Sequence, residues 1–171
     1  NYFKKAIKSK RCKLMSKKMN RRTFIKATVA AGGAAAILPQ TIFSSEAKKR
    51  VKLGFIGTGL RGQWMLWLAA KYPDVDIAAI CDIDNRMIAD ALKIIKDGGK
   101  PEPHIYKNGD EDFLNMLNNE ELDGVYIATP WEWHHPMSVA AMKSGKHVGT
   151  EVPAALTVED CWDLVKTSEQ S

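Results

Sequence analysis

The stretch from Arg50 to Gly62, R-V-K-L-G-F-I-G-T-G-L-R-G, decides the fold of this chain. It begins with an apolar run typical of a buried strand and continues into three glycines spaced G-x-G-x-x-G, which are Gly57, Gly59 and Gly62. A helical pattern follows, with large apolar side chains at i, i+4, i+7 and i+8: Leu60, Trp64, Trp67 and Leu68. A strand, a glycine turn and a helix in this order predict a loop that binds the pyrophosphate of a dinucleotide.

The three glycines have separate roles in this prediction. Gly57 allows a tight turn, Gly59 allows the backbone to approach the pyrophosphate, and Gly62 allows the helix to pack close to the strand. The helix N-terminus then offers free N–H groups and the positive end of its dipole to the phosphates. Because a glycine-rich turn without a ligand has the same letters, the motif needs a second feature to support it.

An acidic residue at the end of the next predicted strand supplies that feature. Residues 75–81 form an apolar run, and Asp82 follows it, twenty residues after Gly62. A carboxylate in this place predicts hydrogen bonds to both ribose hydroxyls of NAD, and it would repel the additional phosphate of NADP. The alternative role of Asp82 is the N-cap of the following helix, but Asp84 is better placed for that cap. The sequence therefore predicts a domain that binds NAD and selects it over NADP.

The positive charge of the chain is confined to its first 50 residues. These hold 14 of the 25 Lys and Arg residues and a single acid, Glu46, whereas residues 51–171 hold 11 bases and 19 acids, a net charge of −8. An acidic body gives no indication of nucleic-acid binding. The two later cysteines, Cys81 and Cys161, suggest neither a disulfide framework nor a metal-binding spacing, so we expect no disulfide and no zinc.

The basic segment has the form of an export signal. The run from Asn20 to Lys26, N-R-R-T-F-I-K, contains paired arginines, and a moderately apolar stretch rich in Gly and Ala extends from Ala27 to Leu38. This order is typical of a bacterial twin-arginine signal, and the apolar stretch is too short to span a membrane. The alternative is a basic arm before a short buried helix. We predict a leader over residues 1–47, recognised by the twin-arginine export machinery, a periplasmic location and no stable membrane anchor.

Strand and helix patterns alternate through residues 48–171, which we expect to form the NAD-binding domain. After Asp82, strands are predicted over residues 104–106, 124–128 and 147–149. Pro136 is predicted to start a helix that ends at Gly145. The alternation predicts an α/β fold with a doubly wound parallel sheet of the Rossmann type and right-handed crossovers. Ligands of such sheets bind beyond the carboxyl ends of the strands, so the site should be formed by loops 57–62, 82–85, 129–136 and 150–154.

Two of these loops have unusual side chains. Loop 129–136 reads T-P-W-E-W-H-H-P, and the strand before it directs it at the nicotinamide half of NAD. A metal site there is disfavoured because adjacent His side chains diverge on most backbones, and a loop that packs its own aromatic rings is the simpler alternative. Loop 150–154 places Glu151 at a strand end, where it either bonds a ribose or substrate hydroxyl or is a solvated carboxylate.

From about Val51 onward the chain resembles the Gfo/Idh/MocA oxidoreductases, whose marks are the glycine fingerprint, the Asp after the second strand, an A-T-P-x-x-x-H loop and an E-K-P loop. Two departures narrow the resemblance. Val152 stands in place of the E-K-P lysine, which is usually taken as catalytic in the dehydrogenases, and the A-T-P loop continues as W-E-W-H. Together with the leader, these features resemble glycoside hydrolase family 109, whose known activity is α-N-acetylgalactosaminidase. Besides the glycines, the resemblance implies NAD contacts from Leu60, Arg61, Asp82, Trp131, Glu132, Trp133, His134, Glu151 and Val152.

The resemblance also implies a reaction and its small-molecule substrate, a glycoside. NAD+ would take a hydride from the sugar C3, the resulting ketone would acidify H2, the glycosidic bond would be lost by elimination, water would add, and the hydride would return. Two alternatives stay open: an NAD-dependent sugar dehydrogenase of the Gfo/Idh/MocA type, and a non-catalytic, NAD-bound sugar-binding protein. We expect the family's second, substrate-binding domain to be missing from this chain, so no catalytic residue is assigned and the fragment alone should be inactive. A homo-oligomer is left open.

Overall fold

The computed structural model describes residues 50–171, which form five strands and five helices in strict alternation. The strands are β1 (Val51–Ile56), β2 (Val75–Cys81), β3 (His104–Tyr106), β4 (Gly124–Ile127) and β5 (His147–Thr150). The helices are α1 (Leu60–Ala70), α2 (Asn85–Asp97), α3 (Asp112–Asn119), α4 (Trp131–Lys143) and α5 (Val158–Gln170). The predicted leader lies outside the described residues. No helix of residues 50–171 combines the length and the apolar character needed to cross a membrane.

The five strands form one parallel sheet in the order β3-β2-β1-β4-β5. Strand β1 lies at its centre, with Phe55 opposite Ile80 of β2 on one side and opposite Tyr126 of β4 on the other. The chain therefore winds outward in one direction from β1 to β3 and in the other direction from β4 to β5. This arrangement confirms the predicted doubly wound sheet, and its reversal between β1 and β4 opens a crevice at the carboxyl ends of those strands.

Two hydrophobic cores lie on the two faces of the sheet, because successive side chains of a strand point to opposite faces. Phe55 packs on one face with Ile80 and with Leu66 of α1. Its neighbour Ile56 packs on the other face with Ile127 and with side chains of α3 and α4. Burial on both faces fixes the position of the strands relative to the helices. It therefore also fixes the positions of the loops at the carboxyl edge of the sheet.

Helix α1 is present as predicted, with Gly62 packed close to the strand, but the large side chains that indicated the helix do not form its buried face. The side chains of Trp64 and Trp67 are 54% and 42% exposed, and their rings stack on each other with centroids 5.0 Å apart. The buried residues are Gly62, Leu66 and Ala70. Because α1 is apolar nearly all round, the spacing of its large side chains does not identify the buried face. Close packing on the sheet instead selects the face with the smallest side chains.

Helix α4 begins five residues earlier than predicted. Its first residue is Trp131, with Pro130 in the N-cap position, and Pro136 lies inside the helix. A proline at this place removes one hydrogen bond, to the carbonyl of Glu132, and both residues are exposed, so water can bind that carbonyl. The prediction of a loop over residues 129–136 was therefore wrong for all but its first two residues, and the W-E-W-H segment forms the first turn of α4.

Candidate functional site

A cleft of about 510 Å³ lies at the carboxyl edge of the sheet, where β1, β2 and β4 end. This is the crevice at which open α/β sheets bind their ligands. Six of the predicted site residues line it: Gly57, Gly59, Leu60, Arg61, Asp82 and Trp133. The structure therefore brings the glycine loop, the acidic residue after β2 and one tryptophan of α4 together around one space.

The glycine loop has the geometry that a pyrophosphate requires. Gly57 has a φ of +85°, and a Cβ there would lie 2.7 Å from the backbone carbonyl of Ala128, so only glycine fits this turn. A Cβ at Gly59 would meet no atom within 4 Å, so this side of the loop is open. Gly59 is also the N-cap of α1 and provides no side-chain cap, which leaves the first N–H groups of the helix without an intrahelical partner. These residues fit a bound phosphate group.

The Asp82 carboxylate is tied to the glycine loop through Thr58. Its Oδ2 accepts hydrogen bonds from the backbone N–H of Thr58 at 2.6 Å and from the Thr58 hydroxyl at 3.0 Å, and its Oδ1 accepts one from the N–H of Asp84 at 2.9 Å. A carboxylate oxygen has about two acceptor positions. Hydrogen bonds to both ribose hydroxyls therefore require one of them to displace the Thr58 hydroxyl. Sequence reasoning missed Thr58, although a hydroxyl residue between the first two glycines was a readable signal.

Asp84, rather than Asp82, caps helix α2, as predicted. Its Oδ1 accepts a hydrogen bond from the backbone N–H of Arg86 at 2.8 Å, and its Oδ2 pairs with the Arg86 guanidinium at 2.7 Å. The side-chain hydrogen bond with Arg86 is the main reason that the pKa of Asp84 is lowered to about 2. Asp84 thereby holds Arg86, the first arginine after Asp82 in the sequence, which could otherwise pair with the 2′-phosphate of NADP.

Substituting Asp84→Asn should reduce the discrimination against NADP. Asparagine keeps the N-cap acceptor but loses the charge that holds Arg86, so the guanidinium becomes available to a 2′-phosphate. Because an exposed ion pair is weak and screened by solvent, we expect the ratio of NADP to NAD affinity to rise by only about three- to fivefold. Calorimetric titration with both cofactors measures this ratio. Adding Arg86→Ala should cancel the gain, and an unchanged ratio in Asp84→Asn would show that Arg86 plays no part in the choice.

The four side chains of the W-E-W-H segment point in different directions, because successive helical residues are rotated by about 100°. Trp133 faces the cleft, and its ring meets Phe113 edge-on with centroids 6.4 Å apart. Trp131 is 60% exposed and Glu132 is exposed on the outer side of α4. The structure thus brings Trp133 to the cleft and leaves the side chains of Trp131 and Glu132 outside it. Their contacts with NAD stay a prediction.

His134 joins the two loops at this end of the sheet. Its side chain is 1% exposed, with Nδ1 lying 2.7 Å from the carbonyl oxygen of Pro153 and Nε2 lying 2.8 Å from that of Thr129. Both ring nitrogens are engaged with the backbone, so this ring positions the loops. The neighbouring His135 points to α5 instead, where its Nε2 lies 2.9 Å from Asp163. Among residues 50–171, no group of His, Cys, Asp and Glu side chains has the arrangement of a metal site.

Glu151 lies behind the cleft. Its Oε1 accepts hydrogen bonds from Arg61 Nε, at 2.6 Å, and from the hydroxyl of Tyr126. The hydrogen bond from Tyr126, followed by that from Arg61, lowers the pKa of Glu151. Burial, followed by the bond to Glu151, raises the pKa of Tyr126 to about 12. Glu151 is therefore an ionised, hydrogen-bonded carboxylate. Val152 is 80% exposed and lies outside the residues that line the cleft.

Cys81 lines the cleft but is unsuited to nucleophilic chemistry. Burial, with smaller contributions from the carboxylates of Asp112 and Asp82, raises the pKa of its thiol to about 12. The reactive form of cysteine is the thiolate. Cys81 is therefore a neutral thiol near pH 7 and forms part of the apolar floor beneath the glycine loop.

Comparisons with known proteins agree on both parts of the chain. The model of the Gfo/Idh/MocA oxidoreductase family, described as an NAD-binding Rossmann fold, matches residues 51–171. The model of the TAT (twin-arginine translocation) pathway signal sequence matches residues 18–39, which indicates an exported protein and agrees with the predicted leader.

Individual relatives are similar over most of this chain. A glycosyl hydrolase family 109 protein of Saccharopolyspora erythraea is 47% identical over 74% of this chain and 28% of its own length. An alpha-N-acetylgalactosaminidase of Tannerella forsythia is 45% identical over 87% of this chain and 36% of its own length. A solved structure of scyllo-inositol dehydrogenase from Lactobacillus casei, with bound NAD(H) and scyllo-inositol, is 26% identical at a TM-score of 0.61 and covers 71% of this chain and 34% of that one. The chain thus spans about a third of the length of the relatives it matches.

Proposed function

The chain belongs to the Gfo/Idh/MocA oxidoreductase family, and on that premise we propose that the whole protein is an exported, NAD-dependent glycosidase that releases terminal α-N-acetylgalactosamine. NAD is the cofactor of the family's Rossmann domain. The observation that carries the proposal is the 45% identity to a protein named alpha-N-acetylgalactosaminidase, against 26% to the inositol dehydrogenase. Within this proposal, residues 1–47 form the leader used in export and residues 48–171 form the NAD-binding domain.

The side chains after β5 support an activity that differs from that of the dehydrogenases. Val152 stands where the E-K-P motif has its lysine, and a valine cannot take the proton of a sugar hydroxyl. Glu151 is ionised, but Arg61 and Tyr126 bind its Oε1, so it is poorly placed to act as a mobile base. A base for the C3 hydroxyl would therefore come from the rest of the whole protein, which is also where we place the substrate pocket.

The described residues would bind and orient the cofactor in this reaction. When bound, NAD supplies a reversible hydride acceptor, so oxidation and reduction at the sugar C3 cancel over one turnover. The N–H groups at the start of α1 would hold the pyrophosphate, the Asp82 carboxylate would accept hydrogen bonds from the adenosine ribose, and Trp133 would form an aromatic wall of the cleft. A firmly held cofactor suits this chemistry because it is regenerated in every cycle.

The test is hydrolysis by the full-length protein without an external oxidant. An aryl α-N-acetylgalactosaminide is incubated with the purified protein, with and without added NAD, and release of the aryl group is followed. We expect release without stoichiometric consumption of NAD, and no release from the corresponding β-anomer, which serves as the control. Absence of release from the α-anomer, even with NAD added, would overturn the glycosidase proposal.

The second candidate is an NAD-dependent sugar dehydrogenase, which the likeness to scyllo-inositol dehydrogenase supports. The two activities differ in their electron balance, because a dehydrogenase accumulates NADH with a free sugar whereas this type of glycosidase returns the hydride to its substrate. Net NADH absorbance on incubation with NAD and free sugars would favour the dehydrogenase. Binding of NAD with neither NADH accumulation nor glycoside release would favour the non-catalytic alternative.

A further inference from the structure

We propose that Tyr126 is a positioning residue for cofactor binding: acting through Glu151, it fixes the guanidinium of Arg61 at the wall of the cleft, where Arg61 binds the pyrophosphate of NAD. The proposal concerns binding of a nucleoside diphosphate. It therefore rests on the NAD-binding site and is independent of the glycosidase proposal.

The three residues come from three separate elements and form two layers. Arg61 is the second residue of α1, Tyr126 lies in β4, and Glu151 directly follows β5. Arg61 lines the cleft, whereas Glu151 and Tyr126 are absent from its lining. A single carboxylate oxygen, Glu151 Oε1, accepts hydrogen bonds from both other side chains. Arg61 thus faces the ligand, and Glu151 and Tyr126 hold Arg61 in place.

The way in which Arg61 is held suits an anion. Its bond to Glu151 uses Nε, so the two terminal amino groups, which carry four of the five donors, are not needed for that bond. A guanidinium fixed in this way can bind phosphate oxygens through two parallel N–H bonds. Arg61 also lies in the first turn of α1, beside the free N–H groups of the helix terminus, so both kinds of donor converge on the same part of the cleft.

Tyr126 provides the rigid end of this arrangement. Its ring packs against the ring of Phe55, with centroids 5.9 Å apart. On its other side lies Gly149 of the neighbouring strand, where a Cβ would lie 3.2 Å from the Tyr126 ring. The hydroxyl therefore has a position set by the core. The side chain of Arg61 is 59% exposed and that of Glu151 is 17% exposed. Without the Tyr126 hydroxyl, the carboxylate loses the partner that ties it to the sheet, and the arginine that it holds becomes free to rotate into solvent.

Substituting Tyr126→Phe tests the role of the hydroxyl while preserving the ring and its packing. Titration calorimetry of the purified protein with ADP should show affinity weaker by about three- to tenfold, whereas adenosine, which lacks the pyrophosphate, should bind as it does to the wild type. Tyr106→Phe is a matched control. Its hydroxyl also donates to a carboxylate, Glu120, at 2.7 Å, but that pair makes no contact with Arg61, so ADP affinity should stay unchanged.

A double-mutant cycle separates positioning from general structural support. Arg61→Ala should weaken ADP by about tenfold, and adding Tyr126→Phe to it should cause no further loss, because the hydroxyl acts only through the arginine. Three results would overturn the proposal: full ADP affinity in Tyr126→Phe, an equal loss of adenosine affinity, or a loss that persists undiminished in the Arg61→Ala background. Thermal unfolding of each variant verifies that it is folded, and Arg61→Gln replaces Arg61→Ala if the latter fails to fold.

Discussion

Substituting Gly62→Ala should abolish measurable NAD binding and lower the free energy of unfolding by about 3 kcal/mol. An ideal Cβ at this position would overlap the carbonyl oxygen of Gly57 and lie 3.0 Å from its carbonyl carbon. Both are backbone atoms of the tight turn, so neither can rotate away as a flexible side chain would. Alanine ordinarily stabilises a helix relative to glycine by about 1 kcal/mol, and here the overlap outweighs that gain. Helix α1 must move off the sheet, and the N–H groups at its terminus move with it.

The same motif provides the matched control for this prediction. Gly59→Ala places a methyl group where nothing lies within 4 Å, and the Gly59 φ of −65° is open to any residue. Its free energy of unfolding should therefore change by less than about 1 kcal/mol. The methyl group lies on the open side of the loop, however, so NAD should bind about tenfold more weakly. Denaturant unfolding and calorimetric titration of both variants are the measurements. A Gly62→Ala protein with wild-type stability would show that the helix can shift without cost.

The order of strands and helices was predictable because the three central strands are mainly apolar runs and most helices have one clear apolar face. Helix α2 is an example, since Ile88, Ala91 and Ile95 recur at helical spacing and are all buried. Helix α1 has apolar residues on several faces, so periodicity identified the helix but not its buried side. The fingerprint indicated that Gly62 faces the strand, and the structure adds Leu66 and Ala70 to the buried face.

The start of α4 was mispredicted for a different reason. A proline usually marks the beginning of a helix or lies just before one, and the sequence offers both Pro130 and Pro136. The structure uses Pro130 as the cap and tolerates Pro136 on the exposed side. In this arrangement the ring nitrogens of His134 lie 2.7 Å and 2.8 Å from the carbonyl oxygens of Pro153 and Thr129. Those contacts join residues from separate loops, and sequence spacing carries no record of them.

The cleft residues were predictable where a motif defines them and missed where only tertiary structure brings them in. Gly57, Gly59 and Asp82 follow from the fingerprint and its spacing, and all three line the cleft. Thr58 and Tyr126 were missed, because one occupies a variable position of the motif and the other lies within a strand that reads as core. Both act by holding a carboxylate, Asp82 in the first case and Glu151 in the second. The residues that face the ligand were therefore easier to predict from the sequence than the residues that hold them in place.

Substituting Asp82→Ala should weaken NAD binding by about one to two powers of ten and narrow the difference between NAD and NADP. Two losses contribute. The ribose loses a charged acceptor, worth about 1.5–3 kcal/mol for each hydrogen bond to it at most, and the glycine loop loses the carboxylate that holds Thr58 by its N–H and its hydroxyl. At 1.4 kcal/mol per tenfold change, either loss alone accounts for the lower end of the range. NADP loses less, because removing the carboxylate also removes a like charge from the neighbourhood of the 2′-phosphate.

Thr58→Val separates these two contributions to the Asp82 effect. Valine has nearly the same shape, keeps the backbone N–H that donates to Asp82 at 2.6 Å and removes only the hydroxyl that donates at 3.0 Å. If Asp82 acts mainly on the ribose, Thr58→Val should change NAD affinity by less than about threefold, because an acceptor position on Oδ2 becomes free for the ligand. Calorimetric titration of the wild type and both variants with NAD and NADP gives all the required ratios. If Thr58→Val lost as much NAD affinity as Asp82→Ala, Asp82 would act by holding the glycine loop rather than by binding the ribose. Equal affinity of the wild type for NAD and NADP would show that Asp82 does not select between the two cofactors.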